Sequence, residues 1–159
     1  MTVGAVAVLV VYLAVHTYQD HKSRKTSNKV NLLALVALAC LAYPDIAKIA
    51  TGLLFCLVVG LFFERLGVWL PGDTRMFAIC GGYVSLFGAP VSVYVITTML
   101  FYVIFSAFIL AGKKMFYRPS LLALFQPAMR KGVWFPGAAL ISVSSLGVIA
   151  WTLWNSSVQ

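Results

Sequence analysis

Asp20 and Asp73 are the side chains from which a reaction can be built, since each is an acid set at the end of a long apolar run. Two carboxyl groups brought together do not both ionise easily, so one is expected to keep its proton near neutral pH while the other stays charged. That asymmetry suits amide hydrolysis. The ionised member takes a proton from water and the protonated member donates to the carbonyl oxygen, which calls for no metal and no cofactor. Asp73 falls in Trp69-Leu70-Pro71-Gly72-Asp73-Thr74-Arg75, where a Pro-Gly pair punctuates the hydrophobic pattern and Gly72 is expected to supply a tight turn. An N-cap is the structural alternative for Asp73, because Asp commonly accepts hydrogen bonds from the first free amides of a helix.

Other catalytic arrangements find little support in the sequence. It holds neither a Gly-rich phosphate loop nor an HExxH metal motif, and it lacks the Gly-x-Ser-x-Gly elbow of serine hydrolases. Of the two histidines, His16 is expected near the end of the first helix and His21 in a solvated loop. Cys40, Cys56 and Cys80 all lie within apolar runs without close spacing, so they are expected to be small core residues. Asp45 follows Tyr43-Pro44 and is expected to cap the next helix.

The segments that must position the two acids are membrane spans. The chain has 159 residues, of which 62% are hydrophobic and 10% charged, and its mean hydropathy is +0.95. These values exclude an ordinary soluble domain. At about 20 residues per helical crossing, the sequence accommodates an all-α, polytopic bundle of six transmembrane helices in a single domain over residues 1–159. The apolar runs are Thr2 to Tyr18, Val30 to Tyr43, Ile46 to Phe63, Met76 to Gly112 and Val133 to Trp154. The fourth is uncharged over 37 residues, too many for one crossing, and Gly88-Ala89-Pro90 divides it into two spans. The first run lacks a preceding basic segment and a small-residue cleavage pattern, so it reads as an uncleaved span. Gly81-Gly82 permits close helix contact or a bend. A short surface helix is expected around Leu121, Leu122, Leu124 and Phe125, and Trp134, Trp151 and Trp154 are placed as an interfacial belt.

Charge sets the expected orientation. With the N-terminus outside, the three cytoplasmic loops carry four, two and five of the Lys and Arg residues, leaving only Lys48 outside. The net charge of +8 is thereby explained by membrane topology, and nucleic acid is not an expected partner. The same topology returns Asp20 and Asp73 to one membrane boundary, the cytoplasmic one.

The residues around both acids resemble the type IV prepilin peptidases. Asp20-His21-Lys22-Ser23-Arg24-Lys25-Thr26-Ser27-Asn28 resembles that family's first motif, an Asp followed after a basic stretch by Ile-Pro-Asn, with Asn28 at the matching spacing and Thr26-Ser27 in place of Ile-Pro. Gly72-Asp73-Thr74-Arg75-Met76 resembles the end of the Gly-x-Gly-Asp motif, with Arg75 at the usual Lys position and Leu70 at the first Gly. Phe135-Pro136-Gly137-Ala138-Ala139-Leu140 is loosely similar to the start of the family's last helix. The resemblance runs in order through the whole chain and implies an aspartic endopeptidase of the cytoplasmic membrane. Its catalytic pair would be Asp20 and Asp73, with Asn28, Gly72 and Arg75 supporting the motifs. Its substrates would be prepilin or pseudopilin precursors, cut to release their basic leader. The methyl transfer of larger relatives is not expected, because their cysteine-rich segment has no counterpart here. Two further readings are a non-catalytic scaffold of a pilus or secretion apparatus and a small transporter coupled to protons, whose acids would lie deeper in the bilayer.

Overall fold

The computed structural model describes residues 2–23, 27–43, 45–112 and 137–158. Six helices are present among them: α1 (Thr2–Ser23), α2 (Asn28–Ala42), α3 (Ile46–Arg65), α4 (Pro71–Leu86), α5 (Val91–Gly112) and α6 (Gly137–Val158). Together they form a helical bundle. Four of them, α1, α3, α5 and α6, are long and apolar enough to cross a membrane. Large apolar side chains such as Leu33, Val58, Phe62, Ile104, Phe108 and Trp154 are exposed on the outside of the bundle, where only lipid would accept them.

The centre of the bundle is α4. Every residue from Met76 to Ser85 is buried, which is the signature of a helix covered on all sides. At 16 residues it is shorter than α1, α3, α5 and α6, but protein surrounds it, so its polar first turn need not face hydrocarbon. Small residues let α3 lie directly against it. Gly52, Cys56 and Gly60 recur every fourth residue on the buried face of α3. A Cβ on Gly52 would come within 2.6 Å of the Gly81 carbonyl oxygen, and one on Gly81 would collide with Cys56 Sγ. Close approach, not a bend, is therefore the use of Gly81, and Gly82 serves likewise against Leu38 of α2.

Two loops fix the ends of α4. At one end, Gly67 takes a φ of 71°, the left-handed conformation that follows many helices. The chain then tucks Val68 and Trp69 inward, both amides donating to the Phe63 carbonyl. Trp69 wedges between Phe63 and Phe77, at ring-centroid distances of 5.3 and 4.7 Å. Pro71 opens the helix at a position where its missing N–H costs nothing. At the other end, Gly88 has a φ of 73° and turns the chain into α5, while Ser85 Oγ donates to the Lys48 carbonyl at 2.6 Å.

The helices begin and end somewhat differently from the apolar runs. Polar residues extend α1 to Ser23 and α3 to Arg65, and Asn28 opens α2 two residues before the run begins. His21 is consequently in the last turn of α1, exposed, and not in a loop. Asp45 occupies the N-cap position of α3 but makes no capping hydrogen bond with its side chain. Cys56 and Cys80 are core residues, whereas Cys40 is exposed on α2. The expected surface helix at residues 121–125 and Trp134 lie outside the described residues.

Candidate functional site

Asp73 is held in place by its own helix. Leu70 is the N-cap of α4, and Asp73 stands at the third helical position, where its Oδ2 accepts the Leu70 amide at 3.2 Å. The N-cap expectation is thus corrected: Pro71 and Gly72 are already helical, and the carboxyl group reaches back to a free amide from inside the first turn. The left-handed residue of this loop is Gly67, so Gly72 does not supply the turn expected of it.

The carboxyl group of Asp73 is buried against α6. A Cβ on Gly137, the first residue of that helix, would lie 2.7 Å from Asp73 Oδ1 and 2.9 Å from Oδ2. Only glycine leaves room for the acid there. From α5, Tyr102 donates its hydroxyl to the Val68 carbonyl at 2.9 Å, closing the floor between α5 and the loop ahead of α4. Tyr102 also lies within electrostatic reach of both Asp73 and Asp20.

Asp20 enters from the last turn of α1 and is partly buried. Its negative charge acts on Asp73, so the helices do bring the two acids to one end of the bundle. Asp73 precedes the apolar part of α4, which begins at Met76, and its pKa is pushed up to about 7. Burial is the main cause and the Asp20 charge adds to it, while the Leu70 amide opposes both. Two nearby cations have other partners. The Lys22 ammonium sits 5.7 Å from the centroid of the Tyr18 ring, and the Arg75 guanidinium donates to Asn28 Oδ1 at 2.5 Å.

The Arg75–Asn28 bond gives both residues a structural role. It ties the first turn of α4 to the first turn of α2, and Gln19 Oε1 accepts the Ser27 amide at 3.1 Å to bind the end of α1 to the same corner. Asn28 and Arg75 are exposed and join each other, not the carboxyl pair. Tyr102 was not singled out in the sequence, although its signal was there. Tyr94, Thr98, Tyr102 and Ser106 recur every fourth residue in a helix that is otherwise apolar, and all four are buried.

Among the described residues no three His, Cys, Asp or Glu side chains are grouped to hold a metal ion. The arrangement is a buried acid that holds a proton near neutral pH beside a second, more accessible acid, with a tyrosine and a glycine-opened helix as walls. Compared with protein-family models, with curated proteins and with solved structures, the chain finds no match.

Proposed function

We propose that this chain is a membrane-embedded aspartic endopeptidase of the prepilin peptidase kind, in the cytoplasmic membrane, with its N-terminus outside and its acids at the cytoplasmic face. The observation that carries the proposal is the buried Asp73 carboxyl group, fitted against Gly137 and held by the Leu70 amide, which burial raises first and the charge of Asp20 raises further. The motif resemblance and the loop charges support the same assignment. Precursors of pilin-like proteins supply a matching substrate, with an apolar helix for the bilayer and a leader that ends at the boundary where the acids lie.

The chemistry follows from the difference between the two environments. Asp20, the more accessible, is the base: it takes a proton from water as the water oxygen attacks the scissile carbonyl carbon. Asp73, which holds its proton near neutral pH, donates it to the carbonyl oxygen. The tetrahedral intermediate then collapses. The proton on Asp20 passes to the leaving nitrogen, the C–N bond breaks, and one hydroxyl proton of the intermediate returns to Asp73. One water is consumed, and both acids finish as they began.

Co-expression with a precursor bearing a basic leader before an apolar helix tests the reading. Asp20→Asn and Asp73→Asn should each abolish leader removal while the protein still inserts. Normal processing by both variants would refute it, and insertion with no cleavage even by the unaltered chain would favour a scaffold.

A further inference from the structure

The loop ahead of α4 is fixed from three sides. Val68 and Trp69 are each 2% exposed, and both of their amides donate to the Phe63 carbonyl of α3. From α5, the Tyr102 hydroxyl donates to the Val68 carbonyl at 2.9 Å, and its ring lies 5.8 Å from that of Trp69. From α4, Asp73 Oδ2 accepts the Leu70 amide at 3.2 Å. Only Trp69 separates Val68 from Leu70, so the carbonyl that Tyr102 holds and the amide that Asp73 holds belong to one short strap.

Tyr102 is costly to place where it is. It is buried in the middle of an apolar 22-residue helix, where a phenol is retained mainly if its hydroxyl finds a partner. Phenylalanine would fill the same space without that cost, so the bond to Val68 is what the hydroxyl contributes. The charges of Asp73 and Asp20 both act on Tyr102, which brings it within reach of the acid pair. Among the described residues, the other ionisable side chains at this end of the bundle stand on α1 (Asp20, His21, Lys22), α2 (Lys29), α3 (Glu64, Arg65) and α4 (Arg75), and α6 has none. Of these, Asp20 acts on Asp73.

We propose that Tyr102 is a positioning residue for Asp73: by anchoring Val68 it holds the Leu70 amide on Oδ2, so that Oδ1 carries the proton delivered to the substrate. The inference rests on the peptidase reading and adds a residue to it. An oxygen that accepts an N–H is the poorer site for a proton, because the donor stabilises negative charge on it. Oδ1 is also the oxygen closer to the point where Gly137 lacks a Cβ, at 2.7 Å against 2.9 Å for Oδ2. The strap thus decides which face of the carboxyl group is acidic, and Tyr102 keeps the strap from slackening.

The test is Tyr102→Phe, which keeps the ring and removes the hydroxyl, in the full chain reconstituted in lipid with a precursor that bears a basic leader before an apolar helix. Tyr94→Phe, about two turns away and likewise buried on α5, is the control. Tyr102→Phe should lower kcat about tenfold with KM largely kept, because the proton is no longer aimed. It should also move the alkaline limb of the kcat profile upward by about half a pH unit, since a slackened donor favours the charged form of Asp73 less. Tyr94→Phe should change neither. An alkaline limb left in place, or one displaced equally by Tyr94→Phe, would overturn the proposal and leave Tyr102 a packing residue. A second measurement needs no activity: infrared titration of the Asp73 carboxyl stretch in Tyr102→Phe. A midpoint raised by the same amount supports the link, and an unmoved one overturns it. Absence of cleavage by the unaltered chain together with a raised midpoint would refute the peptidase reading while upholding the Tyr102–Asp73 link.

Discussion

Gly137 presents its bare Cα to the carboxyl group of Asp73, so closely that a single methyl group would fall 2.7 Å from Oδ1. Gly137→Ala should therefore displace the acid without unfolding the bundle. We expect at least a tenfold fall in cleavage rate, about 1.4 kcal/mol in the barrier, with unchanged insertion. Gly147→Ala on the same helix is the control, since nothing lies within 4 Å of a Cβ built there. Its activity should match that of the unaltered chain in the same assay.

The α3–α4 contact should tolerate enlargement least. Gly81→Val would drive a branched side chain into Cys56, which has no room to yield because it is fully buried. Overpacking of this kind costs about 1–3 kcal/mol, and thermal unfolding in detergent should show the loss. The site would suffer with it, because α4 carries Asp73.

Asp73 should make stability depend on pH. Its pKa is about 7 in the fold against an ordinary 3.8, so between those values the folded chain binds a proton that the unfolded chain releases. A raised pKa contributes stability that is fully present at low pH and lost as pH rises through the folded value. Unfolding monitored across this range should show stability falling from about pH 4 to about pH 7 and levelling beyond. Asp73→Asn should remove the slope and be the more stable protein at the alkaline end, by up to ~4 kcal/mol. Activity should fall through the same upper region, as the proton donor is lost.

Asn28 and Arg75 should behave as one unit. Because they bond to each other across an exposed corner, Asn28→Ala and Arg75→Ala are each expected to cost about 0.5–1.5 kcal/mol. The double variant should cost little more than either alone, which a double-mutant cycle would reveal as a coupling between them. An additive result would show that the two residues act separately.

Much of this arrangement was legible in the sequence. The apolar runs and the turn at Gly88-Ala89-Pro90 gave the helices and their order, because hydrophobic length and Pro-Gly punctuation are local properties. Helix ends were missed where polar residues such as His21 and Asn28 continue a helix beyond its apolar part, since backbone hydrogen bonding does not stop where hydrophobicity does. That Asp20 comes within electrostatic reach of Asp73 agrees with counting crossings. The position of Asp73 in its helix could not be read that way, because Leu70 caps the helix through its backbone and leaves no side-chain signal. Gly137 and Tyr102 lie about 64 and 29 residues from Asp73 along the chain, and their meeting depends on how each helix is rotated. The four-residue pattern that holds Tyr102, Tyr94-Thr98-Tyr102-Ser106, was visible in the sequence, yet only packing shows which face of α5 is buried.

The claim on which the rest stands is that Asp20 and Asp73 share one proton. Infrared titration of the Asp73 carboxyl stretch, in the unaltered chain and in Asp20→Asn, tests it most directly. Removing the neighbouring charge should lower the Asp73 midpoint measurably from near neutrality, while burial, the larger cause, keeps it above the ordinary carboxylate range. A midpoint that stays where it was would contradict the account, because Asp73 would then owe its proton to burial alone.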